Sequence, residues 1–587
     1  MASQTIDRER FAGDGRLPEF APRDALYEAG KREVDLYVRT YNTLLRSSGP
    51  IAVDVLVPAH INIASSLHSG ASEPEPDMGA FMYSTLRLPP EILGVRTVVL
   101  SQSARLFERG GYHDVEEWTA VSAPGRRRKW HFDGEDTLAV FVASTSDLDD
   151  LIPTIVAWQI EWNKMHRICR SNARIQEILH ADEPPGEELL DEVRQLIGIG
   201  ASDWQRLRAA WGAQFLDNLS RLATHRQNLK LHMLGGTYLG YARATDHWWE
   251  PARRVRTRLG LEGRPTYFVS SNTHSIVNIF SGAARRRRDQ LIRYIEEGNL
   301  PELEPELRKL QAGDIEASWD NLLYYAARFY YRDHPEDRVV RDREEAERGI
   351  VNIEPESVID AGVQLIDLSK LNEEDVDPRI CATVGKLPET DAVIININYP
   401  LGMAAYHIMT RVAQTVEDLR GVYILGKAAT LNARIGDVMI SDVVYDEHSE
   451  NTYWFQNCFS NADLEPYLIY GSALDNQRAI TVRGTYLQNR GHLDFYYREN
   501  YTVAEMEAGP YLSALFEDTY MTRYPSGEQI NLSDLPIDLG IIHYASDTPY
   551  TRAQTLGARG LSYYGMDSTY AATLAIVRRI LEVTPKR

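Results

Sequence analysis

Short apolar runs rich in β-branched residues recur along the chain, and stretches of helical period separate them. IAVDVLVPA (Ile51 to Ala59), VRTVVLSQ (Val95 to Gln102), DTLAVFVAST (Asp136 to Thr145), GVYIL (Gly421 to Leu425) and IDLGIIHYASD (Ile537 to Asp547) are of this kind. Runs this short and this apolar read as buried strands, and their alternation with helices predicts an α/β chain. None approaches the roughly 20 apolar residues a helix needs to cross a bilayer. The start MASQTIDRER has no hydrophobic stretch of the signal-peptide kind. A cytoplasmic protein with no membrane partner is expected.

At 587 residues the chain exceeds one ordinary core and suggests several domains. Its formal net charge of −21 argues against duplex nucleic acid, where binding rests on Lys and Arg displacing counterions. Three basic runs stand against that balance: GRRRKW (Gly125 to Trp130), ARRVRTR (Ala252 to Arg258) and ARRRR (Ala284 to Arg288). They read either as solvated faces or as an anion site in the N-terminal half. Cys169, Cys381 and Cys458 are scattered with no CxxC spacing, so no disulfide framework is expected, and no metal-ligand spacing predicts a metal.

Residues 1–30, polar and punctuated by Gly and Pro, read as a flexible arm. Residues 31–340 read as an α/β region with a largely helical insertion, and 350–587 as a second α/β domain. The charged segment Arg332 to Gly349 fits a linker or an exposed helix. The turn SSNTHS (Ser270 to Ser275), between a strand and a helix, offers hydroxyls and amides to an anion, or simply caps the helix.

The C-terminal part carries the chemistry. RICATVGKLPETDAVIININ (Arg379 to Asn398) reads as a hairpin whose second strand leads through YPLG into a helix from Gly402, followed by the strand GVYIL and the turn GKAAT from Gly426. Ligands of such strand, helix and strand units bind beyond the carboxyl ends of the strands. NYTVAEMEAGPY (Asn500 to Tyr511) and IIHYASD (Ile541 to Asp547) end strands with carboxylates, and a carboxylate at the mouth of a buried strand is costly unless something uses it.

Taken in order, YPLGMAAY, ILGKAATLNARIGDVMISD, VAEMEAGPY and YASD resemble four motifs of the nucleoside phosphorylase and nucleosidase superfamily, which includes purine nucleoside phosphorylases, methylthioadenosine nucleosidases and AMP nucleosidases. The resemblance covers roughly Ile350 to Arg587. It implies a three-layer α/β domain with a central mixed, twisted sheet. It also implies cleavage of the N-glycosidic bond of a purine nucleoside or nucleotide, by phosphorolysis or hydrolysis, through an oxocarbenium-like transition state.

By the same resemblance Glu507 accepts hydrogen bonds from the ribose hydroxyls, Met506 packs beneath the sugar and Glu505 is a second contact. Asp547, positioned by Ser546, is the general acid at the purine N7, which requires its pKa to rise toward neutrality. Gly402 and Gly426 open the two ligand-facing turns, Tyr486 in ITVRGTYLQN stacks on the base, and Arg559 is a basic residue that swings toward the acid. The turn departs from the superfamily's Gly- and Ser-rich pattern, with Lys427, Ala428 and Ala429 in its place, and Lys427 offers a point charge for phosphate. The superfamily's first strand has no clear counterpart, with VIDAGVQLIDLSKL (Val358 to Leu371) the nearest candidate. No cofactor is implied beyond phosphate as co-substrate, and a homo-oligomer is. The alternative is a catalytically inactive nucleoside or nucleotide sensor that keeps the base and ribose contacts.

Overall fold

A computed structural model describes residues 23–181, 183–313, 317–547 and 563–585, and it is mixed α/β with two sheets. The strands are β1 (Ile51–Ala52), β2 (Thr97–Ser101), β3 (Thr119–Ala123), β4 (Arg126–Phe132), β5 (Thr137–Phe141), β6 (Lys230–Leu234), β7 (Thr266–Ser271), β8 (Ile350–Ile353) and β9 (Val363–Asp367). They continue with β10 (Val393–Asn398), β11 (Leu419–Thr430), β12 (Val438–Asp446), β13 (Asn451–Trp454), β14 (Ala473–Thr481), β15 (Val503–Glu505), β16 (Gln529–Asn531) and β17 (Asp538–Asp547). The helices that matter to the site are α1 (Arg23–Leu44), α2 (Thr145–Ser171), α3 (Tyr238–Leu259), α4 (Ser275–Ser281), α5 (Trp319–Asp333), α6 (Ala404–Thr415), α7 (Ala508–Tyr520) and α8 (Tyr563–Val583).

The first sheet runs β1-β6-β2-β5-β4-β3, with β6, β2 and β5 parallel at its centre. The second runs β16-β13-β12-β14-β15-β11-β7-β10-β9-β8, and β17 pairs with both β11 and β12. Strands β11, β15, β14, β12 and β17 therefore close on one another, each bonded to two others of the five. Period-2 alternation sends each central strand's side chains to two cores. Tyr423 and Leu425 of β11 and Ile542 and Tyr544 of β17 pack with α4, α5 and α8. Val422, Ile424, Ile541 and Ala545 face the other way, toward α3, α6 and α7.

Several sequence expectations need correction. The boundary expected between 340 and 350 does not divide the sheets, because β7 lies between β10 and β11 and is parallel to both. Helices from Ser275 to Glu347 then separate β7 from β8 in sequence. VIDAGVQLIDLSKL supplies β9, an antiparallel strand beyond β10. The arm expected over 1–30 is helical from Arg23, within α1, and residues 1–22 lie outside the described ones. IAVDVLVPA is a two-residue strand that turns helical at Val53, and RICATV is the helix Pro378–Val384, capped by Asp377, rather than half of a hairpin. Both are apolar runs too short for periodicity to separate strand from helix.

Two basic runs are in part taken up by ion pairs. Arg126 and Arg128 on β4 pair with Asp147 and Asp150 at the start of α2 (2.6–2.8 Å). Although burial works against it, these arginines hold the Asp150 carboxyl well below its usual range. Arg286 and Arg287 share Glu344, and Arg286 also pairs with Asp375. Charges so paired are not free for an anion. No helix among the described residues is long and apolar enough to cross a membrane.

Candidate functional site

The turn expected to open at Gly426 is strand instead: β11 runs on through Thr430, and its last residues are flanked on both edges. Ala429 pairs with Ala504 of β15 on one side and with Asp547 of β17 on the other. The register slips between Ala428 and Ala429, leaving Ser546 as the extra residue of a bulge, a device that re-aims a strand end. The Ser546 hydroxyl is turned inward and donates to the Ala428 carbonyl (3.2 Å). Asp547 ends β17, and its side chain lies outside the described residues.

On the other edge β15 runs straight into α7. A helix start leaves N–H groups unpaired, and here Glu505 supplies the acceptor. Its Oε2 accepts from the N–H of Glu507 (2.6 Å) and of Ala508 (2.7 Å), and its Oε1 accepts from the Thr481 hydroxyl at the end of β14. Glu505 is 2% exposed, so it fastens strand to helix instead of reaching a ligand as a second ribose contact. Burial, and then the charge of Glu507, push its pKa up to about 8 against the pull of those donors.

Glu507 sits in the half-buried position just before α7. Burial pushes its pKa up to about 7, while the Gly402 N–H and the nearby Arg126 pull it down. The Gly402 N–H approaches its Oε1 at 3.4 Å. A carboxylate poised near neutrality, with one oxygen facing a backbone donor, can accept hydrogen bonds from a vicinal diol. Met506 packs beside Leu431, Ile480 and Val482, with part of its surface open.

Gly402 has φ +53°, and a Cβ there would lie 2.2 Å from the Ser146 Oγ. Gly426 is not crowded in this way: a Cβ there would make only ordinary contact with the His543 ring, at 3.5 Å. His543, buried on β17, places Nε2 3.8 Å from Glu505 Oε2. Burial alone pushes its pKa down to about 3, so it is neutral at ordinary pH. No sequence motif pointed to it, although alternation along IIHYA puts positions 541, 543 and 545 on one face.

Lys427 is half-buried and lies opposite Tyr544 in the sheet. It acts, with Arg328 of α5, on His274 of the SSNTHS turn, whose pKa falls to about 3 chiefly through burial. Among the described residues neither Lys427 nor Arg328 joins an ion pair. The SSNTHS turn itself is closed: Asn272 Oδ1 accepts from the His274 and Ser275 N–H groups (3.0 and 2.7 Å). The capping alternative therefore holds there.

Tyr486 does not present a ring to a base. It lies in a short turn after β14, 2% exposed, its hydroxyl bonded to Ser84 Oγ (2.6 Å) and donating to the Ala80 carbonyl (2.9 Å). It fastens the two sheets' regions together, because its phenol finds partners only across that contact. Arg559 lies outside the described residues. Among the described residues no group of three or more His, Cys, Asp or Glu could hold a metal ion.

The model of one protein family, described as a family of unknown function (DUF6909), matches residues 53–582. No curated protein sequence matches the chain. Among solved structures, the Arabidopsis thaliana 5'-methylthioadenosine nucleosidase in apo form is similar at 10% identity and TM-score 0.27, over 41% of this chain and 91% of that one. A methylthioadenosine/S-adenosylhomocysteine nucleosidase from Colwellia psychrerythraea in complex with adenine is similar at 9% identity and TM-score 0.27, over 39% and 86%. A methylthioadenosine phosphorylase from an antarctic soil metagenomic library is similar at 10% identity and TM-score 0.27, over 40% and 81%. Likeness this slight carries no argument.

Proposed function

We propose, for a chain that belongs to the DUF6909 family of unknown function, that the rim around Ala429 binds a purine nucleoside or nucleotide and cleaves its N-glycosidic bond. The observation that carries this reading is the register. One strand residue has Ala504 and Asp547 as its two neighbours, which brings the Met506–Glu507 and Ser546–Asp547 segments to one rim. In this reading the second sheet, with helices on both faces, is a nucleoside phosphorylase-like domain whose first strand is β7.

Glu507, ionised above about pH 7, accepts from the ribose hydroxyls, and its charge favours the cationic sugar of the transition state. Met506 lies beneath the sugar. Asp547 gives its proton to the purine N7 as the C1'–N9 bond breaks and its electron pair leaves with the base. The nucleophile's oxygen bonds C1' from the opposite face. Water would give the free sugar, its released proton restoring Asp547 by way of solvent, and phosphate would give the sugar 1-phosphate. Lys427 and Arg328, both without an ion-pair partner among the described residues, suit an anion at that face, either phosphate or a substrate's own phosphate. No cofactor is required. A homo-oligomer in the cytoplasm belongs to the same reading.

A second reading has its own observation: Glu505 is spent on capping α7, and Tyr486 on holding the two regions together. A nucleoside sensor would keep Glu507 and dispense with turnover. Incubation with adenosine, inosine, guanosine, AMP and ATP, with and without phosphate, separates the two. Free base released only with phosphate means phosphorolysis, and base released without it means hydrolysis. Tight binding with no release leaves the sensor, and neither binding nor release refutes both.

A further inference from the structure

We infer that the N-terminal region forms the second wall of this site and that Ser146, on α2, is the positioning residue for Glu507. The turn Tyr399–Met403, which enters α6, is tied to its own sheet by the Tyr399 N–H on the Ser271 carbonyl of β7 (2.8 Å), and from outside that sheet by three side chains of the N-terminal region. Arg127 of β4 donates to the Tyr399 carbonyl (2.6 Å) and to the Asp360 carbonyl (3.1 Å). The Ser144 hydroxyl reaches the Leu401 carbonyl (3.5 Å), and the Met403 N–H donates to the fully buried Ser146 Oγ (2.9 Å).

The next amide along that turn is the one that matters. A left-handed residue followed by a right-handed one points successive N–H groups into one concavity. Gly402, at φ +53°, precedes Met403 at φ −60°. The Met403 N–H is fixed on Ser146, and the Gly402 N–H is thereby aimed at Glu507 Oε1. The same region adds Arg126, whose charge helps to hold Glu507 ionised, while its own guanidinium is tied to Asp150 at 2.8 Å. Farther round the rim Arg483, just beyond β14, meets Asp149 of α2 at 3.3 Å, and Asp149 also accepts from Tyr41 of α1. The sheet that carries Glu507 thus does not orient that carboxylate alone. It relies on the first turn of α2, where Ser146 lies 257 positions before the Met403 it holds.

The part of this inference that concerns ribose rests on the function proposed above; the positioning of the turn does not. The test uses the full chain and Ser146→Ala, with two readouts. Hydrogen exchange of the peptide Tyr399–His407 should quicken at least about fivefold, because the Met403 amide loses its acceptor and a first-turn N–H has no intrahelical one. Calorimetric affinity for adenosine should fall about tenfold, while that for 2',3'-dideoxyadenosine, which lacks the hydroxyls Glu507 would hold, should stay within about twofold. Unchanged exchange in the variant overturns the inference whatever the protein binds. Equal losses on both nucleosides overturn it too, since they would show general damage to the site. If the wild-type chain binds neither nucleoside, adenosine is not its ligand and the exchange result alone decides the positioning. Should Ser146→Ala fold poorly, Ser146→Gly with the same two readouts replaces it.

Discussion

His543 Nε2 lies 3.8 Å from Glu505 Oε2, and both side chains are sealed from solvent. Burial acts on them in opposite senses, lowering the pKa of the imidazole to about 3 and raising that of the carboxyl to about 8. Between those limits the two face each other uncharged, which is how an acid and a base can share a closed site without an ion pair.

Stability should therefore depend on pH in a window that can be named. Glu505 and Glu507 bind more protons folded than unfolded, between 4.5 and about 8 and between 4.5 and about 7 respectively, so their contribution is full below 4.5 and is lost as pH rises through those values. His543 binds fewer protons folded between about 3 and 6.5, so its contribution is present above 6.5 and is lost on acidification. From pH 6.5 to 8 His543 adds no slope; Glu507 acts up to about pH 7, as does Glu345, whose burial raises it to about 7, and Glu505 acts up to about 8, with a slope of up to about 1.4 kcal/mol per pH unit for each inside its window. Denaturant midpoints across that interval should fall for the wild type and flatten in Glu505→Gln. Parallel curves would discount the raised carboxyl.

Binding of a nucleoside should follow Glu507. Its carboxylate is the acceptor for the ribose hydroxyls, and its pKa is pushed up to about 7. Adenosine affinity should strengthen as pH rises from 5.5 to 7.5, by up to about tenfold per unit on the acid limb. The pair with Glu505 can spread this into two steps. Glu507→Gln should remove the dependence and weaken binding at pH 8. An affinity that is flat over this range would take Glu507 out of the contact.

Asp547→Asn should lower turnover by about 10²-fold or more and leave nucleoside binding nearly intact, the behaviour of a lost general acid. Steady-state rates with calorimetric affinities measure both quantities. A fully active variant would exclude Asp547 from proton transfer.

Tyr486→Phe tests the reassignment of that ring. The variant loses the bonds to Ser84 and Ala80 in a buried contact and should be destabilised by about 1–3 kcal/mol. Its affinity for purine nucleosides should not change. A selective loss of purine affinity at unaltered stability would return Tyr486 to the base.

Buried strands that end in polar residues are readable from the sequence. Glu507, Ser546 and Asp547 were placed on one rim because a buried strand declares its end locally, by the first polar residue after its apolar run. Which strands are neighbours is not local. β7 looked like part of the N-terminal half because its partners β10 and β11 come only after a long run of helices, and parallel pairing leaves no turn signal. Glu505 looked like a ligand contact because its capping partners are backbone amides, which carry no residue code. Ser146 and His543 were invisible for a related reason: each matters through a neighbour brought close only by the fold.

The placing of β7 has a consequence for how the chain is made. It leaves the ribosome well before either strand that will border it, and both its hydrogen-bonding edges must wait, unpaired, for the growing polypeptide to supply them. The helices translated immediately afterwards, α4 and α5, are the ones that later cover one face of β7, and they are at hand to shield it during the wait. A break in translation between those helices and β10 would release a nascent chain whose β7 has both edges unpaired, the form in which such a chain aggregates.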